Sequence, residues 1–426
     1  MKITIIGAGS TYTPELIEGL IARREELPLT ELHLMDIDQQ KLSIVGGLAV
    51  RMMRAADMPC APVLTMDLDT ALRDADYVLC QIRVGKLPAR VLDETIPLKY
   101  GLIGQETTGI GGFFKALRTI PVIKHICDRM EVLCPDAWMI NFSNPSGILA
   151  EMVLNHTKVR MAGLCNGPIN MAGSVCESLG LPEGEAEVEF TGLNHFGWIT
   201  SICHEGKEYL PEAIAKSITA GKAKNIADSD HDDDVNRVSH GLPSGYLEYY
   251  YFRNAKLKVL KAAEKCRGEQ CMEIEEALLK QYQDEALTIK PPELSQRGGA
   301  RYSEAAVNLL SAIHNDKNER HVVNILGGGA VPFLNDNDAV EVAAMVSRAG
   351  LVPIPLRSET NAHIRGLCRI VKEYEKLTVI AALNGDDDAA LNALMLHPLV
   401  GDFIAAKACY EEMKLAHREH LPQFFK

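Results

Sequence analysis

Six short apolar runs punctuate the first part of the chain: KITIIG (2–7), ELHLMD (31–36), APVLTM (61–66), DYVLCQIR (76–83), AWMINF (137–142) and RMAGLC (160–165). Between them lie segments such as PELIEGLIARREEL and KALRTIPVIKHICDRMEVL, whose apolar residues recur at helical spacing. Strands alternating with helices predict an α/β fold with a parallel, doubly wound sheet. Beyond Gly192 the pattern loosens. Residues 216–245 are polar, acidic and glycine-bearing, and predict a surface loop. Helical spacing dominates after Tyr246, in MEIEEALLKQYQDEAL and DAVEVAAMVSRAG. The expected architecture is a Rossmann-like domain over residues 1–165 and a mostly helical α+β domain over residues 166–426.

Composition narrows the function classes. With 426 residues, 47 % hydrophobic and 24 % charged, the chain has ample material for a globular core. A formal net charge of −13 argues against nucleic-acid and anionic-membrane partners. No apolar run approaches the roughly 18 residues of a membrane span, and the few residues before Gly7 are too short for a signal-peptide core. The eleven cysteines include no CxxC pair. They give neither a zinc-ribbon nor a disulfide framework, and fit reduced thiols in the cytoplasm.

The first run leads straight into chemistry. In ITIIGAGSTYTPELIEGL, Gly7, Gly9, Ser10 and Thr11 follow a strand and precede a helix that Pro14 suits as a start. Such a turn lets backbone N–H groups approach a pyrophosphate. Tyr12 stands where the usual third glycine would be. Asp36 ends the second run, where a carboxylate accepts from an adenosine ribose and favours NAD over NADP.

Four later stretches fall at strand ends, where ligands bind in this architecture. QIRVGKLPARVLDETIPLKYGLIGQETTGIGG carries Arg83, Lys86, Arg90 and Glu106; NFSNPSG carries Asn141 and Asn144. GLCNGPIN brings Cys165 and Asn166, and TGLNHFGW brings His195. Thiolate and imidazole together are a plausible donor set for a divalent ion. A buried apolar cysteine and a structural histidine are the alternatives at this point.

Taken in order, GAGSTYTPELIEGL, the RVGKLPAR to GQETTG run, NFSNPSG, GLCN, GLNH and RGGA resemble glycoside hydrolase family 4, and within it the 6-phospho-β-glucosidases. The resemblance implies a fold related to lactate and malate dehydrogenases, retained NAD, and a divalent metal, commonly manganese. It implies Cys165 and His195 as metal ligands and Tyr246, in SGYLEYYYF, as the base. Residues alone do not separate Tyr246 from Tyr249, Tyr250 and Tyr251. Phosphate and sugar contacts map onto Arg90, Asn144, Glu106 and Arg267, with Arg83 and Lys86 as alternatives at the phosphate. Asn166 replaces the aspartate of the α-specific relatives and points to β-linked substrates. The implied partner is a phosphorylated sugar, and the implied assembly a homodimer or homotetramer, with residues 166–426 carrying catalysis and oligomerisation.

The implied chemistry departs from the two-carboxylate glycosidase scheme, as befits an NAD-dependent family. Hydride leaves C3, a base takes the C2 proton, the C1 group departs, and water and hydride return. Gly167 and Arg301 stand where relatives usually carry a larger apolar residue and an aromatic, which leaves the leaving group open. Within the family an α-linked or non-phosphorylated substrate is the runner-up; outside it, a lactate/malate-type dehydrogenase and a non-catalytic NAD sensor are the competing readings.

Overall fold

The six apolar runs form the frame of the molecule, seen in a computed structural model that describes residues 1–182, 184–221, 225–228, 232–297 and 302–426. Strands β1 (Lys2–Ile6), β2 (Glu31–Met35), β3 (Val63–Thr65), β4 (Tyr77–Cys80), β5 (Trp138–Asn141) and β6 (Arg160–Gly163) run parallel in the order β3-β2-β1-β4-β5-β6. All five residues of β1 are buried, as expected of a strand covered by helices on both faces. Strand order reverses between β1 and β4, which opens a crevice at the carboxyl edge. The turns after β1, β4, β5 and β6 all reach that edge.

The second half adds strands as well as helices. β7 (Glu187–Leu193) and β8 (Phe196–His204) form a tight antiparallel hairpin, joined by β9 (Lys207–Glu208) and β10 (Leu242–Pro243) on β8. β11 (Glu319–Leu326), β12 (Ala339–Ser347) and β13 (Gly350–Pro353) extend the large sheet past β6, through the Asn324–Gly163 pairing. The helical expectation for DAVEVAAMVSRAG is therefore wrong: this segment is β12. Val340, Val342, Ala344 and Val346 do alternate, but Ala339 and Ala343 are buried too. A strand between two others, covered on both faces, reads as a continuous apolar run that spacing alone does not separate from a helix. Apart from the strands β11 to β13, helices dominate after Tyr246 as expected, including Arg267–Tyr282, Ala362–Asn384 and Phe403–Ala416.

Two helices build the wall of the crevice after β4. Lys86–Lys99 and Gly109–Leu133 pack against each other, and the GQETTG turn connects them. Gly104 is required there, since a Cβ would overlap the Glu94 carbonyl. Among the described residues no helix is long and apolar enough to cross a membrane. Arg301 and the last three residues of RGGA (298–300) lie outside the described residues, as do 222–224 and 229–231 of the acidic segment.

Candidate active site

A cavity of about 1160 Å³ opens at the carboxyl edge of β1, β4, β5 and β6. At one end lies the glycine turn. Gly7 has φ +85°, and a Cβ there would stand 2.8 Å from the Gln81 carbonyl oxygen, so only glycine fits. Gly9 N–H donates to Asp36 Oδ2 at 2.8 Å, and Asp38 N–H to Oδ1 at 2.9 Å, which fixes the carboxylate beside the turn. Ser10 and Thr11 line the cavity just before the helix Thr13–Ala22. Lys86 reaches across to Asp38 at 2.7 Å.

Deeper in, the ends of β6 and the β7–β8 hairpin converge. Cys165 Sγ lies 3.4 Å from His195 Nε2 and accepts the Gly167 N–H at 3.3 Å. His195 holds φ +60°, a left-handed conformation that is costly for a non-glycine residue, at the hairpin tip. Burial, then the Glu341 carboxylate, push the Cys165 thiol up to about 12. Burial, then Lys115, lower the His195 imidazole to about 3. The two side chains are thus a neutral thiol and a neutral imidazole, with His195 Nδ1 buried and unpartnered. A divalent cation fits this pair: the spacing suits two ligands of one ion, and coordination supplies the charge that a buried thiolate needs. Among the described residues no third histidine, cysteine, aspartate or glutamate joins them, which leaves coordination positions for substrate or water.

The Tyr246 ring stacks on His195 with centroids 4.0 Å apart and planes 15° apart. Asn225 Nδ2 donates to its hydroxyl oxygen at 2.7 Å. Burial raises the Tyr246 phenol above its ordinary range and Cys165 adds to that, while Asn225 and Thr107 act in the opposite sense. Asn225 belongs to the acidic segment expected at the surface. The structure corrects that expectation: Ala220, Gly221, Asn225 and Ile226 line the cavity.

The adjoining flank is cationic. Glu106 Oε1 pairs with Arg90 at 2.8 Å, and Oε2 with Lys115 at 2.8 Å and with Arg83. Burial opposes charge on Glu106, but Arg83, Arg90 and Lys115 outweigh it and hold the carboxyl well below its ordinary range. Arg90 also pairs with Glu94 at 2.7 Å, yet its Nη2 is buried without a partner. Both Glu106 oxygens are engaged, so the carboxylate organises cations. Asn144 and Asn166 line the same cavity.

Arg267 is the expected residue that the structure does not bring in. It opens the helix Arg267–Tyr282 and donates to the Gln296 carbonyl at 2.8 Å and to Gln270 at 3.1 Å. Four cavity residues had no sequence signal of their own: Lys115 inside a helix, Asn225 in a polar run, Arg297 in a motif noted only as a match, and Glu341 within β12. Glu341 accepts from Asn194 at 2.9 Å and Asn324 at 3.1 Å, behind Cys165.

Comparison with known proteins matches the chain to a family. The model of the family 4 glycosyl hydrolases covers residues 2–181, and that of the family's C-terminal domain covers residues 190–400. The chain is 43 % identical to a probable 6-phospho-beta-glucosidase of Bacillus subtilis, over 100 % of this chain and 98 % of that one. A solved structure of the 6-phospho-beta glucosidase from Thermotoga maritima with manganese, NAD+ and glucose-6-phosphate superposes with a TM-score of 0.90 at 32 % identity, over 99 % of both chains. A malate dehydrogenase from Plasmodium falciparum shares the fold alone, with a TM-score of 0.50 at 12 % identity over 92 % of this chain and 99 % of that one. The chain belongs to the family 4 glycosyl hydrolases.

Proposed function

We propose that this chain is a 6-phospho-β-glucosidase that cleaves phosphorylated β-glucosides by reversible oxidation and elimination, with NAD+ retained and a divalent metal, commonly manganese, held by Cys165 and His195. One observation carries the reading. The glycine turn, the Cys165–His195 pair, Tyr246 stacked on His195, and the Arg83–Arg90–Lys115 cluster share a single cavity. A two-carboxylate mechanism would need a free acid and base at the reacting centre. Glu106 has both oxygens on cations, and Asn166 is an amide.

When bound, NAD+ supplies hydride acceptance at the sugar C3 and the metal supplies Lewis acidity at the neighbouring oxygens. The chain's residues do the rest. The turn formed by Gly7, Gly9, Ser10 and Thr11 takes the pyrophosphate ahead of the helix Thr13–Ala22, and Asp36 accepts from a ribose hydroxyl. Tyr246 as phenolate removes the C2 proton, and the C1 group departs. Asn225 donates to the phenolate oxygen, and Thr107 beside it also favours the charged form. Burial opposes that charge, so the step requires positive charge beside the ring. Arg90, with an unpartnered guanidinium nitrogen, takes the 6-phosphate, and Asn144 adds an amide N–H. The proposed assembly is a homodimer or homotetramer.

Release of p-nitrophenol from its β-D-glucoside 6-phosphate tests the proposal. Turnover is expected to require NAD+, Mn²⁺ and reduced thiols, and to leave no net NADH. Removal of the metal with EDTA stops it, and Mn²⁺ restores it. Turnover without NAD+, or steady NADH accumulation on a hydroxy acid, would contradict the proposal.

A further inference from the structure

We infer that Arg297 binds a phosphate in the cavity, so that the C-terminal half completes a dinucleotide turn lacking its third glycine. The inference rests on the cofactor reading above. Arg297 ends the short turn Pro292–Arg297 and lines the cavity, with its side chain 8 % exposed. Its guanidinium lies over the Tyr12 ring, 5.5 Å from the centroid, and bonds to the phenol oxygen. Tyr12 directly precedes the helix Thr13–Ala22, so the cation is held by a residue of the turn itself, in the cavity that the turn lines. Tyr282 braces the same turn by donating to the Thr11 carbonyl at 2.8 Å. The residue that replaces the glycine is thus held outward, against the second half of the chain.

Two features point to an anion. Arg297 Nη1 donates to the Cys271 carbonyl at 3.3 Å and faces Glu275 at 3.7 Å, but Nε is buried with no partner. A buried guanidinium N–H without an acceptor is unfavourable until a ligand supplies one. Glu275 also pairs with Lys41. Two cations, Arg297 and Lys41, therefore share the Glu275 carboxylate. Phosphate oxygens provide both the missing acceptor and the countercharge. Arg90 approaches Cys271 from its own side, with Nη1 3.6 Å from Sγ. Arg297 thus stands between the turn and the Arg90 cluster, and the shared chemistry is offered by the cofactor pyrophosphate and by a sugar phosphate. Its place over Tyr12 favours the pyrophosphate.

Calorimetric titration with NAD+ and KM for the nitrophenyl glucoside 6-phosphate at saturating NAD+ separate the two sources. Arg297→Met is expected to raise the NAD+ Kd at least tenfold with KM within threefold, and Arg297→Lys to fall between it and the native chain. A tenfold rise in KM with an unchanged Kd would assign Arg297 to the sugar phosphate. Both constants within threefold, in a variant with a native melting profile, overturn the inference. Tyr12→Phe keeps the cation and loses only its phenol partner, so NAD+ affinity should hold. An equal loss there would mean that Arg297 merely holds Tyr12. Should Arg297→Met fail to fold, Arg297→Lys carries the test, with at least a threefold loss expected. Titration needs no turnover, so a chain that binds NAD+ but does not cleave the glucoside sinks the functional reading and leaves this one standing.

Discussion

Single side chains divide the chemistry between them, and each division has a measurable consequence. Tyr246 is the only proton acceptor proposed for C2, and Asn225 and Thr107 serve its oxygen. Tyr246→Phe keeps the ring against His195 and removes the acceptor. A fall in kcat of about 10²- to 10⁴-fold is expected, in the range of general-base contributions, while NAD+ titrates as in the native chain. Equal loss of NAD+ binding would show that the tyrosine is structural. Cys165→Ser substitutes a poorer, harder donor at the metal pair. Its Mn²⁺ affinity, followed by the paramagnetic resonance signal of free Mn²⁺, is expected to fall tenfold or more; an unchanged affinity would remove Cys165 from the ligand set. The residue types at the site were legible because they sit in short motifs. Their juxtaposition was not, since thirty positions separate Cys165 from His195 and only the hairpin turn closes that distance.

At the scale of elements, turns between regular segments aim the site. Gly7 carries the turn after β1, and Gly7→Ala meets the Gln81 carbonyl in a left-handed conformation. A loss of stability of roughly 1–3 kcal/mol is expected from such strain, with NAD+ binding lost below the unfolding temperature. Normal NAD+ affinity in that variant would place the cofactor elsewhere. The parallel strands could be read from sequence because apolar runs and helical spacing alternate cleanly over the first half. β12 could not, because Ala339 and Ala343 are buried beside the alternating Val340, Val342, Ala344 and Val346, which blurs the two-residue period. Lys115 illustrates a second limit. It lies on the buried helix Gly109–Leu133 and pairs with Glu106 only because the GQETTG turn folds the two helices together. A lysine at helical spacing ordinarily reads as solvated surface.

At the scale of the whole molecule, a buried ion pair ties the two helices of the crevice wall to the C-terminal end of the chain. Arg118 donates to both Asp93 oxygens, at 2.9 and 2.5 Å, and to the Val84 carbonyl, while His417 from the C-terminal end lies 3.0 Å from Asp93. Burial opposes the charge on Asp93, but Arg118 and His417 outweigh it and hold the carboxyl below its ordinary range. Its contribution is therefore complete above the ordinary carboxylate range and is lost as pH falls through the depressed folded value. Asp93→Asn leaves Arg118 buried and uncompensated, a loss of about 3–5 kcal/mol. Thermal unfolding across pH 2 to 7 (about the span over which carboxylates titrate) should show a lower melting temperature near neutrality and a shallower acid decline than in the native chain. Equal curves would mean the pair adds nothing. The mechanism itself is tested most directly by running the hydrolysis in D₂O and examining the glucose 6-phosphate released. Removal of the C2 proton by Tyr246 predicts deuterium at C2 of the product. Product formed in D₂O with protium retained at C2 would contradict the elimination pathway, whatever the cofactor requirement.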